Sequence, residues 1–439
     1  MREIETLVAP GGVERLDFEA VEGALRRKAL RWTARLVEAR FNADPSDYQG
    51  SHLACSCEAC ARYVGRREKS FQTLLGPLRL ERAYYVCPGC RRGWAPRDHA
   101  LGLADSRLSP GMMRMVGIVG SMVSFEEGAK LLDDLVGVQV CAKQVERTSK
   151  ALGHEIAQDE RQDTDSHLLE PVAATLYVGL DGTGVPMRPA ELRGRQGKQP
   201  DGSAKTREVK LCAIWSAGTS DKHGRPMRDE GSVSYTAAIE SAATSDTDKE
   251  LSPFAQRVER EALRRDFYQA PRQVVLGDGA AWIWNIANEL FPQAIQIVDR
   301  FHAKEYLSRV GKDIYGPTSE LATAWIQTRY RELDAGQIDH IVAALQIHQN
   351  HSDAARTAID YCNTHRHRMA YPTFEAQGLC TSTGVLEAGC KITVGARLKQ
   401  AGMHWSLHGA NAIIALRCNR LSDRFEDFWE RRAQRGLAS

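Results

Sequence analysis

Two apolar runs, Thr175-Leu-Tyr-Val-Gly-Leu180 and Gln273-Val-Val-Leu-Gly277, each stop on an aspartate followed by a glycine, Asp181-Gly182 and Asp278-Gly279. Short β-favouring runs bounded by Asp and Gly read as buried strands. Each aspartate is therefore expected at or near the end of a strand, beside a tight turn. The second strand leads into a helical pattern, AAWIWNIANEL. Between the two lie the strand-like segments KLCAIWSA and SVSYTAAIE, and beyond them AIQIVD finishes at Asp299, followed by Arg300, Phe301 and His302. No other feature restricts the fold as much, because three hairpin-connected strands flanked by α/β units allow few sheet orders.

That succession fits a ribonuclease-H-like α/β sheet. Sheets of this kind gather ligands at the carboxyl ends of their strands. Hard oxygen donors there select Mg or Mn. Two such ions about 3.5–4 Å apart can activate an attacking hydroxyl and stabilise the leaving oxygen of a phosphoryl displacement. A third carboxylate is supplied by Glu387 in Ser-Thr-Gly-Val-Leu-Glu387-Ala-Gly-Cys-Lys, at the start of a helix. Taken singly, each aspartate is better read as a turn or cap residue, and Glu387 as the partner of Lys391 one helical turn on, a pairing worth about 0.2–0.5 kcal/mol. Three acidic residues in matching contexts favour a common metal site.

Five of the eleven cysteines cluster near the N-terminus as Cys55-Ser-Cys57-Glu-Ala-Cys60 and Cys87-Pro-Gly-Cys90. Two Cys-x-x-Cys knuckles joined by the alternating stretch SFQTLLGPLRLERAYYV are how a zinc-ribbon-like module is built, with Cys57, Cys60, Cys87 and Cys90 as structural Zn ligands and Cys55 as a substitute. Residues 61–100 carry Arg62, Arg66, Arg67, Lys69, Arg79, Arg82, Arg91, Arg92 and Arg97 against Glu68, Glu81 and Asp98, a balance suited to a phosphate backbone.

Next, Ser124-Phe-Glu-Glu127 has the form of a capping box. The helix it opens should bury Phe125, Ala129, Leu132 and Leu135 and stop near Gly137. A second helix, roughly Ala142 to Gly153, should turn Val145, Thr148 or Ser149, and Leu152 inward and leave Lys143, Gln144, Arg147 and Lys150 outward. This spacing resembles a helix-turn-helix DNA-binding module. A solvated basic face is the plain alternative.

YVGLDGTGV, LGDGAAWIWNIANELFPQAIQIVDRFHAKEYL and GVLEAGCKITVGARLKQAGMHWSLHGANAIIALR resemble the ISKra-type insertion-sequence transposases, relatives of the Mutator-like DDE group, from about Cys55 to Trp429. The resemblance implies a DDE transposase with Asp181, Asp278 and Glu387 as its catalytic triad, and Asp299-x-x-His302 matching the group's Asp/Cys-x-x-His signature. On that reading Asp181 bridges two Mg or Mn ions, Asp278 and Glu387 hold one each, and His302 orients the scissile phosphate or a catalytic side chain. Asp278 and Glu387 are 387 − 278 = 109 residues apart, and the intervening stretch looks like the helical insertion of the group. Trp325 within it is a base-stacking candidate, with a core position the plainer reading. From Lys391 to Arg420 the sequence is free of acidic residues. Lys391, Arg397 and Lys399 there, with Arg417, Arg420, His404 and His408, are expected to meet DNA phosphates.

The expected organisation is an N-terminal helical segment (1–50), a zinc-ribbon-like module (51–105), a helix-turn-helix module (106–165), the ribonuclease-H-like catalytic domain (170–312 and 380–430) and a helical insertion (313–379). A length of 439 residues with 43% hydrophobic side chains supports several packed cores. The longest run of apolar and small residues, Met115–Val123, is far short of a membrane span, and no export signal is recognised, so a cytoplasmic, nucleoid-associated enzyme is expected. Its partners would be double-stranded DNA, as transposon ends and target, and further copies of itself. Two rivals remain: a non-catalytic zinc-dependent DNA-binding regulator, and an actin-like ATPase using Leu-Asp181-Gly-Thr-Gly as a phosphate loop.

Overall fold

The computed structural model describes residues 17–438 apart from 105, 163–171, 198, 200, 223, 225 and 243–249. Its chain divides into two compact units, Met1–Leu152 with Phe425–Ser439, and Gly153–Arg424.

The first unit opens with helix α1 (Phe18–Ala43), whose N-cap Asp17 accepts the Glu19 N–H. Four antiparallel strands follow in sequential order: β1 (His52–Ala54), β2 (Cys60–Thr73), β3 (Gly76–Val86) and β4 (Gly93–Trp94). The alternation read in the sequence is the β2–β3 hairpin, turned at Gly76 with φ 102°. An unpaired strand edge leaves backbone donors exposed. On β3 three side chains answer them at every second residue: Glu38 accepts Arg79 N–H at 2.8 Å, Asn42 accepts Glu81 N–H at 2.8 Å, and Asp47 accepts Ala83 N–H at 2.8 Å. Asp47 is buried and also pairs with Arg66 at 3.0 Å and Arg97 at 3.2 Å.

Helices α2 (Pro96–Ala100), α3 (Pro110–Met122) and α4 (Phe125–Leu131) come next. Ser124 caps α4 by accepting the Glu127 N–H at 3.1 Å, as its capping box predicts. The expected apolar face fails at Leu135, which is 66% exposed. A π-helical turn, Leu132–Val136, inserts there and breaks the 3.6-residue spacing before Gly137 ends the run at φ 74°. Helix α5 (Ala142–Gln162) begins where expected and buries Val145, Ser149 and Leu152, but it runs well beyond Gly153. That glycine is no stop signal; a Cβ on it would lie 2.0 Å from the Ala412 carbonyl oxygen.

The second unit is built on a five-stranded mixed sheet. Its strands are β5 (Thr175–Pro186), β6 (Thr206–Ser216), β7 (Ser234–Ala238), β8 (Arg272–Gly277) and β9 (Ile295–Val298), in the order β9-β8-β5-β6-β7. β5, β6 and β7 form an antiparallel meander, whereas β8 and β9 add parallel on the other side of β5. Helices α6 (Pro253–Arg264) and α7 (Ala281–Leu290) flank β8 in sequence, and α8 (Arg300–Tyr315) follows β9. Then come α9 (Glu320–Asp334), α10 (Ile338–Gln346), α11 (Asp353–His365) and α12 (Tyr371–Ala376), which make the stretch after α8 helical as its sequence suggests. The chain returns through α13 (Gly384–Gly389), a π-helical turn (Cys390–Gly395) and α14 (Leu407–Leu421), while α15 (Phe425–Ala438) belongs to the first unit. Among the described residues no helix is long and apolar enough to cross a membrane.

Behind the sheet, Glu261 of α6 is fully buried between Arg264 at 2.8 Å and Arg424 at 2.8 Å, and Arg264 also donates to the Glu160 carbonyl at 2.9 Å. Those two cations hold the Glu261 carboxyl far below the usual range despite its burial. Removing one member of such a group strands the others. Glu261→Gln is expected to cost about 3–5 kcal/mol, read by urea denaturation, whereas a change below about 1 kcal/mol would mean the group is solvated.

Candidate functional site

Strand register brings the first two carboxylates together. β5 and β8 pair residue by residue as far as Leu180 opposite Gly277. The next residues, Asp181 and Asp278, consequently emerge side by side. β9 pairs with β8 up to Val298 opposite Gly277, which carries Asp299 to the same level on a third strand. Asp181, expected at or near the end of its strand, lies within it. β5 continues to Pro186, paired with β6 down to Thr206, so the two form a ribbon that outruns β8.

Asp181 is half-buried. Its Oδ1 accepts the Gly182 N–H at 2.6 Å, and its Oδ2 accepts the Cys390 thiol at 3.3 Å. Burial raises its pKa, and the charge of Asp278 adds to that, against the Cys390 and Gly182 hydrogen bonds and the nearby His302. The Cys390 thiol is itself pushed well up, by burial and then by Asp181, so it acts as a proton donor to the carboxylate. Neither Asp181 nor Asp278 has a lysine or arginine ion pair among the described residues. Two neighbouring carboxyl groups with no lysine or arginine paired to them offer hard oxygen donors that could hold a divalent ion.

Asp278 is held by its turn. Its Oδ1 accepts the Ala280 N–H at 2.8 Å, and its carbonyl accepts the Tyr361 hydroxyl at 2.8 Å. Gly279 sits at φ 109°, and a Cβ there would be 2.5 Å from the Tyr361 ring. Tyr361 stacks on Tyr306 with centroids 4.1 Å apart and meets His365 edge-on at 4.8 Å. The helical stretch thus braces the site through α11, a role the sequence does not reveal because Tyr361 lies 83 residues from Asp278.

Asp299 is engaged differently. It is buried, caps α8 by accepting the Phe301 N–H at 2.6 Å and the His302 N–H at 3.2 Å, and accepts the Thr383 N–H at 2.8 Å as well as the Thr383 hydroxyl. Four donors occupy its oxygens. It is a positioning residue, fixing the turn from which α13 starts. His302 is half-buried, its Nδ1 3.4 Å from Glu305, and its ring lies near Tyr306.

Glu387 projects from α13 and is exposed. Its neighbour Leu386 is fully buried against Gly179, where a Cβ would meet the Leu386 side chain at 2.6 Å. Gly389 allows an equally close approach to Tyr235 and Leu211. α13 is therefore seated on β5 two residues before Asp181. The Glu387–Lys391 ion pair considered from the sequence is not formed among the described residues. The oxygens of Asp181, Asp278 and Glu387 do not all lie within 4.8 Å of one another, a spacing met among the described residues by the cysteines alone. Carboxylates that hold different ions of a pair need not meet that closely.

The basic residues divide. Lys143 and Lys150 both pair with Glu146, the former at 2.8 Å, and these contacts push Glu146 down to about 2; Gln144 is half-buried and Arg147 exposed. Lys391 and Lys399 are exposed, and Lys399 donates to the Thr183 hydroxyl. Arg397 overturns its expectation: it is 0% exposed, lies over the Trp405 ring at 5.3 Å, and has its pKa lowered to about 10 by burial and Arg417. Arg417 is likewise interior, donating to the Thr393 carbonyl at 2.8 Å. The absence of nearby acidic residues hid the fact that backbone carbonyls and an aromatic face can satisfy a guanidinium. In the other unit, Arg82 and Arg97 are also buried, with Arg82 on Asp98. Trp325 is half-buried, lies against Gly311 and has Arg329 over its ring at 5.3 Å.

Four thiols do gather. Cys55, Cys57, Cys87 and Cys90 have their sulfurs within 4.8 Å of one another, with Cys57 3.5 Å from Cys87 and 3.6 Å from Cys55, and Cys55 3.6 Å from Cys90. A tetrahedral ion with bonds of about 2.3 Å separates its sulfurs by about 3.8 Å, so the group could bind zinc. Cys60 is outside it. The turn closes one step earlier, with Cys55 N–H on the Ala59 carbonyl at 2.9 Å and Glu58 at φ 69°, and Cys60 already begins β2 opposite Ala54. The Ala59 N–H and then the Cys87 thiol push Cys57 down to about 6.

Two outcomes are expected. The chain should bind one equivalent of zinc by atomic absorption, a stoichiometry lost in Cys55→Ser and kept in Cys60→Ser; the reverse would restore the Cys57/Cys60 pairing. In metal-free buffer at neutral pH, Asp181→Asn should raise Tm. The folded pKa of Asp181 is raised, so its contribution to stability is present below the unfolded value of 3.8 and is lost as pH climbs through the folded one. An unchanged or lower Tm would mean that burial, with Asp278 beside it, does not disfavour the charged form of Asp181.

No curated protein sequence matches the chain. The profile of an uncharacterised protein family, UPF0236, matches residues 59–424, which include every cysteine of the second knuckle, Asp181, Asp278, Asp299, His302 and Glu387. The chain is a member of the UPF0236 family.

Proposed function

We propose that the chain is a DDE transposase of the ISKra type, catalysing metal-dependent DNA cleavage and strand transfer on a ribonuclease-H-like domain. One observation carries the reading: Asp181 and Asp278 directly follow Leu180 and Gly277, which are paired on adjacent parallel strands, with no lysine or arginine ion-paired to either, next to a helix bearing Glu387. The order β9-β8-β5-β6-β7, an antiparallel meander extended by two parallel strands, is the arrangement expected of that fold.

Hard carboxylate oxygens suit Mg or Mn, which when bound would supply Lewis acidity at the reacting phosphate. Asp181 would hold the shared position, since it lies between the other two elements, and Asp278 and Glu387 one ion each. Cys390 keeps one Asp181 oxygen oriented, Tyr361 fixes the Asp278 turn, and Asp299 sets where α13 begins. His302 stands ready to orient a phosphate oxygen. The cysteine group would hold structural zinc, because four thiolates leave no open position for chemistry. DNA would be met through exposed Lys391 and Lys399, through Arg62, Arg91 and Arg92 beside the zinc group, and through Arg79 farther along β3. Joining two DNA ends calls for at least two copies of the chain.

Asp278→Ala should abolish cleavage of duplex DNA carrying the element's ends, by at least about 10³-fold, while leaving DNA affinity within a few-fold. Cleavage that persists in this variant removes the mechanism. Binding without metal-dependent cleavage in the unaltered chain would favour a regulator, and nucleotide hydrolysis without DNA an ATPase.

A further inference from the structure

Past Asp181 the β5–β6 ribbon leads away from the sheet, and its end is joined by Trp405, whose N–H donates to the Pro186 carbonyl at 3.1 Å while its own carbonyl accepts the Arg188 N–H at 2.9 Å. Beyond this junction lies a cavity of about 780 Å³. Met187, Pro189 and Leu192 give it an apolar wall, and Arg193, Arg195 and Lys205 line its mouth with His404. All four of these last residues are exposed.

The charge here is one-sided. Arg193, Arg195 and Lys205 have no carboxylate partner among the described residues. Arg207, half-buried behind them, has its pKa lowered by burial and then by the charge of Arg195, with Glu191 opposing. Asp201, on the same loop, is already engaged by the Ser203 N–H at 2.9 Å and hydroxyl at 2.7 Å. Closely spaced cations with no carboxylate lining the pocket beside them, around an apolar wall, suit a ligand with both phosphates and a flat apolar face. The volume is within the range of sites for molecules larger than a single phosphate.

Position narrows the ligand further. Asp181 and Met187 are six residues apart on extended chain, about 20 Å at roughly 3.3 Å per residue. That equals about six nucleotide steps of 3.4 Å. Exposed Lys399, held at Thr183, marks a point between them.

We propose that this cavity seats one unpaired nucleotide of a DNA strand, its base against Met187 and Leu192 and its flanking phosphates on Arg193, Arg195 and Lys205. The assignment rests on the DNA-processing reading above and adds to it a subsite remote from the carboxylates. Unpaired bases bind on apolar faces within basic grooves with little regard to sequence.

The test is anisotropy of a labelled oligodeoxythymidylate of about 20 nucleotides, titrated with the full chain at several salt concentrations. Each phosphate contact on a single strand contributes about 0.7 to the salt slope, so Arg193→Ala/Arg195→Ala/Lys205→Ala should lower that slope by about 2 and the affinity roughly 50-fold at 0.15 M salt. Leu192→Ser should weaken this strand several-fold but leave an abasic strand of equal length unaffected. Equal losses on both strands overturn the base seat. Wild-type affinity and slope in the triple variant, from a chain whose unaltered form binds and cleaves DNA, overturn this assignment alone. An unaltered chain that binds no DNA overturns both it and the reading beneath it.

Discussion

The parallel pairing of β5 with β8 is the constraint on which the site depends. Hydrogen bonds that put Leu180 opposite Gly277 leave the following aspartates adjacent, and the resulting repulsion is part of what raises Asp181 above its ordinary range. The sheet supplies the register from its own ladder and apolar core, so the unfavourable contact is held by structure elsewhere.

Everything around the pair serves to fix it. Gly179 removes the side chain that would keep Leu386 away, and Gly389 does the same beneath Tyr235, so α13 lies directly on the sheet. Asp299 ties the start of that helix to the start of α8 through Thr383 and two backbone N–H groups. Tyr361 closes over Gly279 and holds the Asp278 carbonyl. A π-helical turn follows α13 and places Cys390 against Asp181. Three segments distant in sequence thereby converge through close backbone approach more than through ion pairs.

Much of this was legible from residue order alone. Apolar runs ending on Asp-Gly located β5 and β8 and their carboxylates, and the Ser124 capping box located α4. What escaped depends on spatial neighbours. The glycines after Asp181 read as a turn, yet β6 keeps pairing with β5 to Pro186. Gly153 read as a helix stop, whereas it admits the backbone of α14. Arg397 read as a DNA contact because no acidic residue stood near it in sequence, but Trp405 covers it. Knuckle spacing favoured Cys60 over Cys55, and the strand pairing of Cys60 with Ala54 reversed the choice. Tyr361 and Cys390 carried no local signal at all.

The central claim is that Asp181, Asp278 and Glu387 jointly hold a pair of divalent ions. Electron paramagnetic resonance of the zinc-loaded chain with Mn²⁺ and DNA measures this directly. Two bound Mn²⁺ per chain, spin-coupled at a separation of about 3.5–4 Å, are predicted. A single uncoupled ion, or two that persist unchanged when Asp181 is replaced by Asn, would contradict the account.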